Sequence, residues 1–365
     1  MSSSESPLPS ARRSGFPIAS VLGVVFSIGF LAWFIKDIEA AEISRSFEAV
    51  SWPFVVASSV VLLSEFAIRA VRWRLLLNPI RPTKVRPLFE ATLIGAAGNT
   101  LLPMRAGDIA RAVVASGATG VRLTTVFATN VMERVYDLFG LVAVLFITFA
   151  LLPEDLASNP ADMERIQKLS FYGKGIGVFA LLGMTAFFAM AKHPERARRF
   201  VNFFCKPLPG PVRSKVRDLT GAFIEGLAAT QSAKNVWTAI ALSLLLWANL
   251  SLAIFLLFKA FHLQLPYAAA CFITVAIALA VVIPQAPGYL GVFQSVIEVT
   301  LSLWTSAELF SHSGATVVAQ DIKAFAIVFW AVSFVPVTIL GLLCLRRAGL
   351  SLRRVWSDTR APKSN

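Results

Sequence analysis

Apolar runs of about twenty residues recur along this chain, and at ~1.5 Å of rise per residue each can cross a hydrocarbon core ~30 Å thick. Inside a bilayer every backbone N–H and C=O must find a partner within the protein, so the runs are read as helices. With 56% of its residues hydrophobic and 15% charged, the chain suits lipid better than water. The expected fold is all-α, a polytopic integral membrane helical bundle. Spans fall near 17–36, 50–71, 124–151, 171–191, 236–258, 267–284, 288–304 and 323–345. The first run is long for a signal-peptide core and lacks a small-x-small cleavage pattern, so it is read as a retained span. Residues 1–16 and 346–365 are then tails around one membrane domain, residues 17–345.

Leu88 to Pro103 is apolar but short for a crossing, and the polar break Met104-Arg105-Ala106-Gly107-Asp108 follows it before another helical pattern. A re-entrant hairpin fits, because irregular backbone at membrane depth is tolerated where protein or a hydrated cavity surrounds it. The expectation is about eight crossings plus one hairpin.

Loop charges orient this arrangement. Arg12 and Arg13, the set Arg72 to Arg86, the cluster Lys192 to Arg217, and Arg346, Arg347, Arg353 and Arg354 fall on one side. Loops 37–49, 153–170 and 305–322 on the other side are rich in Asp and Glu. Both termini are therefore expected in the cytoplasm, with the protein in the cell (inner) membrane. A full crossing in place of the hairpin would put the Lys192–Arg217 cluster outside.

The net charge of +13 does not indicate nucleic acid, since no aromatic-interleaved basic patch or nucleic-acid motif accompanies it. Anionic lipid at the cytoplasmic face and topology account for it better. The basic cluster beside Phe200, Val201, Phe203 and Phe204 reads either as a surface-lying amphipathic segment or as a plain topology signal. Cys205, Cys271 and Cys344 lie far apart, and His193, His262 and His312 are isolated, so neither a disulfide framework, a metal site nor a cofactor is expected.

Ionisable residues inside the spans are the candidate site. A charge at the centre of a bilayer helix costs roughly 2.5–3.5 kcal/mol on the insertion scale, so such residues usually have a partner or a task. Glu65 and Arg69 are four apart in the favourable order for an intrahelical pair. Arg72 and Arg74 flank Trp73 and read as snorkelling cations around an interfacial aromatic anchor. In Glu133-Arg134-x-x-Asp137, two acids face one base. One carboxylate is thus left either to carry a proton or to meet Arg69 or Arg105 on a neighbouring helix.

Two broken segments complete the set. In Asn99 to Arg111, Pro103 and Gly107 interrupt the helix and Asp108 can cap the next one; the new N-terminus beside Arg105 and Arg111 favours an anion such as phosphate, unless Asp108 already neutralises it. In the second half, Pro284-Gln285-Ala286-Pro287-Gly288-Tyr289-Leu290-Gly291-Val292-Phe293-Gln294 forms another break. Paired breaks in corresponding halves point to a midplane transport site and to an inverted repeat, although no residue-level repeat is visible.

These motifs carry a resemblance. Arg69-x-x-Arg72-Trp73-x-x-Leu76-Leu77, Asn99-x-x-x-Pro103-x-Arg105-x-Gly107-Asp108-x-x-Arg111, Glu133-Arg134-x-x-Asp137 and Pro284-x-x-Pro287-Gly288-x-Leu290-Gly291-Val292-Phe293 together resemble the flippase-like membrane region of lysylphosphatidylglycerol synthases and their stand-alone relatives. The resemblance implies a lipid transporter that moves or handles aminoacyl-phospholipid, polyprenyl-linked or hopanoid lipids, without the synthases' soluble aminoacyl-transfer domain. It differs from the family pattern at Gln294, where glutamate is usual. The alternatives are a non-transporting scaffold for lipid- or glycan-synthesis enzymes and a polyprenyl-phosphate-dependent transferase. No catalytic motif supports the latter, and no enzyme activity is expected.

Overall fold

The computed structural model describes residues 40–102, 105–150, 233–281, 287–305 and 319–348, with a few isolated positions besides. Every regular element in these stretches is helical: α1 (Ala40–Glu48), α2 (Trp52–Leu77), α3 (Val85–Leu101), α4 (Ala106–Thr119), α5 (Leu123–Ala150), α6 (Ala233–Ala260), α7 (Tyr267–Ala280), a 3₁₀ turn (Pro287–Tyr289), α8 (Val292–Thr305) and α9 (Ala319–Arg347). The expected spans at 17–36 and 171–191, the Lys192–Arg217 segment and Gln285 lie outside the described residues.

Three helices, Trp52–Leu77, Lys234–Ala260 and Asp321–Arg347, are long and apolar enough to cross a membrane. The 28 residues of α5 rise about 42 Å, so α5 is as long as these, but it carries Glu133, Arg134 and Asp137.

A helical hairpin stands where the re-entrant one was expected. The 17 residues of α3 and 14 of α4 rise only about 26 and 21 Å. The chain reverses between them through extended Leu102 and left-handed Arg105, whose φ is 52°. Gly98 and Gly95 of α3 lie against Gly107 and Arg111 of α4, so the two helices run antiparallel. Their approach is close enough that a Cβ on Gly107 would collide with the Gly95 carbonyl and the Asn99 backbone nitrogen. In lipid, where apolar burial gives helices little reason to associate, such small-residue contacts supply the packing.

The second half holds a like arrangement that hydropathy concealed. Residues 267–284 and 288–304 read as two full crossings, yet α7 ends at Ala280 and α8 starts at Val292, each 14 residues long. Gly288 and Gly291 have φ of 76° and 85°, which interrupt helix and which glycine adopts at little cost. The Trp330 indole N–H donates to the Gly288 carbonyl (2.7 Å), and the Gly291 N–H donates to Gln294 Oε1 (2.8 Å), satisfying groups that the break frees.

The described helices thus run long, short, short, long, twice over: α2–α5 and α6–α9. Their contacts obey the same rule. The pairs α2–α3, α3–α4, α4–α5, α2–α5, α3–α9 and α2–α9 match α6–α7, α7–α8, α8–α9, α6–α9, α7–α5 and α6–α5, while α2–α6 maps onto itself. Across that central contact Ser51 N–H donates to the Ala260 carbonyl, Ser58 Oγ to that of Ala253, Asn249 Nδ2 to that of Val61, and Arg72 Nη1 to Ser243 Oγ. Residue numbers rise on α2 as they fall on α6, so these equivalent helices are antiparallel. The two halves are inverted repeats.

The halves differ in filling. Around α6–α9 the core is aromatic and aliphatic, with Phe258, Phe293, Phe325 and Phe329 in edge or tilted ring contacts. Among α2, α4 and α5 a smaller apolar cluster, with Ala70, Trp73, Ala112 and Val126, is joined by a group of buried charges.

Candidate polar site in the first half

Arg72 is the residue around which the charges gather. Its side chain has no solvent exposure, its Nη1 donates to Asp137 Oδ1 (2.7 Å) and Ser243 Oγ (2.6 Å), and its Nη2 lies 3.7 Å from Glu133 Oε1. The expectation that it snorkels to an interface is therefore wrong. A cation near a helix end can reach water only if no neighbour covers that end, and here α5 and α6 both do. Arg74 is exposed and donates to the Thr83 carbonyl at 3.0 Å. Trp73, expected as an interfacial anchor, is instead fully buried, with its Nε1–H donating to Thr129 Oγ1 at 3.0 Å.

Glu133 meets two arginines, though not those expected. Its Oε2 lies 2.8 Å from Arg111 Nη2, and Arg72 supplies the second contact; Arg69 and Arg105 are not its ion-pair partners. The Arg111 guanidinium also lies over the Trp73 ring, 3.9 Å from its centroid, a cation–π contact strengthened by the lack of water. Asp137 is approached by three arginines: Arg72, Arg69 (3.5 Å) and Arg134 (3.6 Å). Arg69 Nε donates to Glu65 Oε1 at 2.6 Å, the intrahelical pair foreseen from the sequence. Of the two alternatives for the α5 carboxylates, the interhelical ion pair with Arg69 is the one present, through Asp137, while Glu133 meets bases of α2 and α4 that the count on α5 alone left out.

Among the described residues the inner group of this cluster balances: Arg69, Arg72 and Arg111 against Glu65, Glu133 and Asp137. Outside it lie Arg134, Arg105 and Asp108, with side chains 52, 33 and 38% exposed, so the rim carries one more base than acid. Asp108 does not cap α4 as expected; no side-chain cap bond forms at its N-terminus. Its carboxylate instead accepts from Asn99 Nδ2 (3.0 Å) and lies 3.6 Å from both Arg105 and Arg134. Arg111 belongs to the inner group, paired with Glu133, whereas Arg105 lies on the rim beside Asp108.

The two breaks meet beside this rim. Arg105 Nη1 donates to the Val281 carbonyl at the end of α7 (3.4 Å), a cation on a helix C-terminus where the macrodipole favours one. A Cβ on Gly288 would lie 3.9 Å from the Thr100 carbonyl of α3. Gln294 is buried in the second break as a backbone acceptor, a role glutamate could fill equally. Arg72, Trp73, Thr129 and Ser243 were missed as site residues. Arg72 and Trp73 stood in a quoted motif, but the two hydroxyls had no signal in the sequence.

The fold and site thus define a helical integral membrane protein with inverted halves and a buried charge cluster in one of them. The chain belongs to the family of the lysylphosphatidylglycerol synthase transmembrane region, whose model matches residues 20–341. A UPF0104 membrane protein of Methanothermobacter thermautotrophicus is 24% identical over 335 residues, covering 89% of this chain and 90% of that protein. A second UPF0104 membrane protein of that organism is 21% identical over 280 residues, 74% of this chain and 78% of that protein. The protein named glycosyltransferase AglD of Haloferax volcanii is 25% identical over 205 residues; the match covers 51% of this chain but only 33% of AglD.

Proposed function

We propose that this protein transports or otherwise handles a lipid within the membrane, holding its headgroup at the cluster formed by α2, α4 and α5. One observation carries the reading: a chain of charged side chains runs from fully buried Arg72 through Asp137 to half-exposed Arg134, next to the meeting point of two broken helix pairs. Such a graded polar path in an otherwise apolar bundle lets a headgroup leave the interface without losing all its polar contacts. The candidates are an anionic or isoprenoid-type lipid, namely aminoacyl-phospholipid, polyprenyl-linked or hopanoid, and among these the rim's surplus base favours the phosphate-bearing ones. We place the protein in the cell (inner) membrane with both termini cytoplasmic, where the basic loops meet anionic lipid.

A scaffold for lipid- or glycan-synthesis enzymes is the second reading, favoured by the neutrality of the inner charges, which a purely structural brace would also show. AglD is named a glycosyltransferase, which would suit a transferase partner or activity, but the match spans a third of that protein. Purified protein in liposomes containing fluorescent phosphatidylglycerol or a fluorescent polyprenyl phosphate, challenged with a membrane-impermeant quencher, tests the transport reading. Faster loss of inner-leaflet fluorescence than in protein-free liposomes is expected; no acceleration with any of these lipids sinks it in favour of the scaffold.

A further inference from the structure

Six polar atoms converge between α2, α4 and α5 and are buried without a hydrogen bond: Nε and Nη2 of Arg72, Nε and Nη2 of Arg111, and both carboxylate oxygens of Glu133. Buried groups of this kind nearly always find partners in a finished structure, so six together mark a position built for something else. Glu133 is near enough to both guanidinium groups to neutralise them, at 3.7 and 2.8 Å, but it satisfies neither by direction.

Each arginine also has a contact that does not involve Glu133. Arg72 is held by Asp137 and Ser243 through its other terminal nitrogen, and Arg111 by its stacking on Trp73. Glu133, by contrast, has ion pairs only with these two arginines among the described residues. The fixed members are the cations, and the carboxylate is the part free to leave.

We propose that Arg72 and Arg111 form a preorganised anion seat at membrane depth, which Glu133 fills as a built-in stand-in and which a phosphate-type headgroup takes by displacing it. A phosphate offers more acceptor oxygens than a carboxylate, in a tetrahedral arrangement that can meet two guanidinium forks at once. The other charged groups around the seat are Glu65 and Arg69 on α2, Asp108 on α4, and Arg134 and Asp137 on α5, while α6 contributes only the Ser243 hydroxyl. The exposed side of this set, at Arg134 and Asp108, provides the way in. The inference rests on reading the cluster as a headgroup site and specifies which atoms take the phosphate.

The test uses the purified full chain in detergent with gluconate as the only small anion, comparing wild type, Glu133→Gln and Glu133→Gln/Arg111→Gln. Melting is followed against added inorganic phosphate and, separately, against short-chain dihexanoyl phosphatidic acid. Removing the internal competitor should tighten apparent affinity for both probes by at least about ten-fold over wild type, and removing Arg111 as well should abolish the gain. If Glu133→Gln folds only when phosphate or phosphatidic acid is present, the seat is supported. Phosphate without phosphatidic acid would mean an ion site and overturn the headgroup assignment. No gain with either probe, an equal gain in the double variant, or a Glu133→Gln chain that no anion rescues would each overturn the seat itself. Lipid movement by wild type is read in a separate assay, so either proposal can fail without the other.

Discussion

Replacing Arg72 by glutamine tests the charge accounting of the cluster most directly. The wild-type side chain has no exposure and links α2 to Asp137 and Glu133 on α5 and to Ser243 on α6. After Arg72→Gln, Asp137 retains Arg69 and Arg134 at 3.5 and 3.6 Å and Glu133 retains Arg111 at 2.8 Å, but the inner group is left with one acid in excess. Breaking one partner of a buried pair costs about 3–5 kcal/mol, and the lost bond to Ser243, worth about 0.5–1.5 kcal/mol, falls within that spread. Asp137→Asn alone should cost a similar amount for the opposite reason. Combining the two restores balance, leaving Arg69 and Arg111 facing Glu65 and Glu133, so the double variant should recover roughly 0.5–3 kcal/mol relative to the sum of the singles. Denaturant unfolding of the four purified proteins in one detergent, followed by helical circular dichroism, measures all the terms. If Arg72→Gln stays within about 1 kcal/mol of wild type, or the two substitutions simply add, then the cluster is not governed by charge balance and the reasoning fails.

Other outcomes follow from single contacts. Gly107→Ala should destabilise by about 1–3 kcal/mol, because the new methyl meets backbone atoms of α3 that cannot swing away, whereas Gly117→Ala, with nothing within 4 Å, should be neutral or slightly stabilising in the same melting assay. Gln294→Ala should lose about 0.5–1.5 kcal/mol through the freed Gly291 N–H, while Gln294→Glu keeps the acceptor and stays near wild type; equal effects from both would show that the bond does not matter. For orientation, a cysteine at Ser158 should react with an impermeant thiol reagent on intact cells and one at Ser214 only after the membrane is opened. Labelling of Ser214→Cys from outside contradicts the loop-charge assignment.

Much of this fold could be read before any coordinates. Helical character followed from the apolar runs, and the α3–α4 reversal from the shortness of Leu88–Pro103 and the polar residues after it. The α7–α8 break was half legible: Pro284, Pro287, Gly288 and Gly291 marked it, yet hydropathy alone stretched both helices into full crossings. Hydropathy sums side-chain transfer terms and is blind to backbone continuity, which glycine and proline decide. Glu65–Arg69 was correct because a four-residue spacing on one helix needs no tertiary information. Arg72 was misjudged because snorkelling depends on what packs over a helix end, and that is not a property of the helix itself.

The sequence by itself determined that the chain is an all-helical membrane protein, where its helices break, and that its charges fall within apolar segments, since each of these follows from local composition and spacing. Only the tertiary structure decided which charges meet. Glu133 could have answered Arg69, Arg105 or no base at all; the packing of α2, α4 and α5 gives it Arg72 and Arg111. The inverted relation of the halves was only pointed to by the paired glycine and proline breaks, because the side chains diverge: the first half holds the arginine–carboxylate cluster and the second a phenylalanine-rich core. Two chain segments can share one backbone plan while their side chains diverge, since helix lengths and breaks fix the plan and the enclosed space accepts any filling whose volume and charge are balanced.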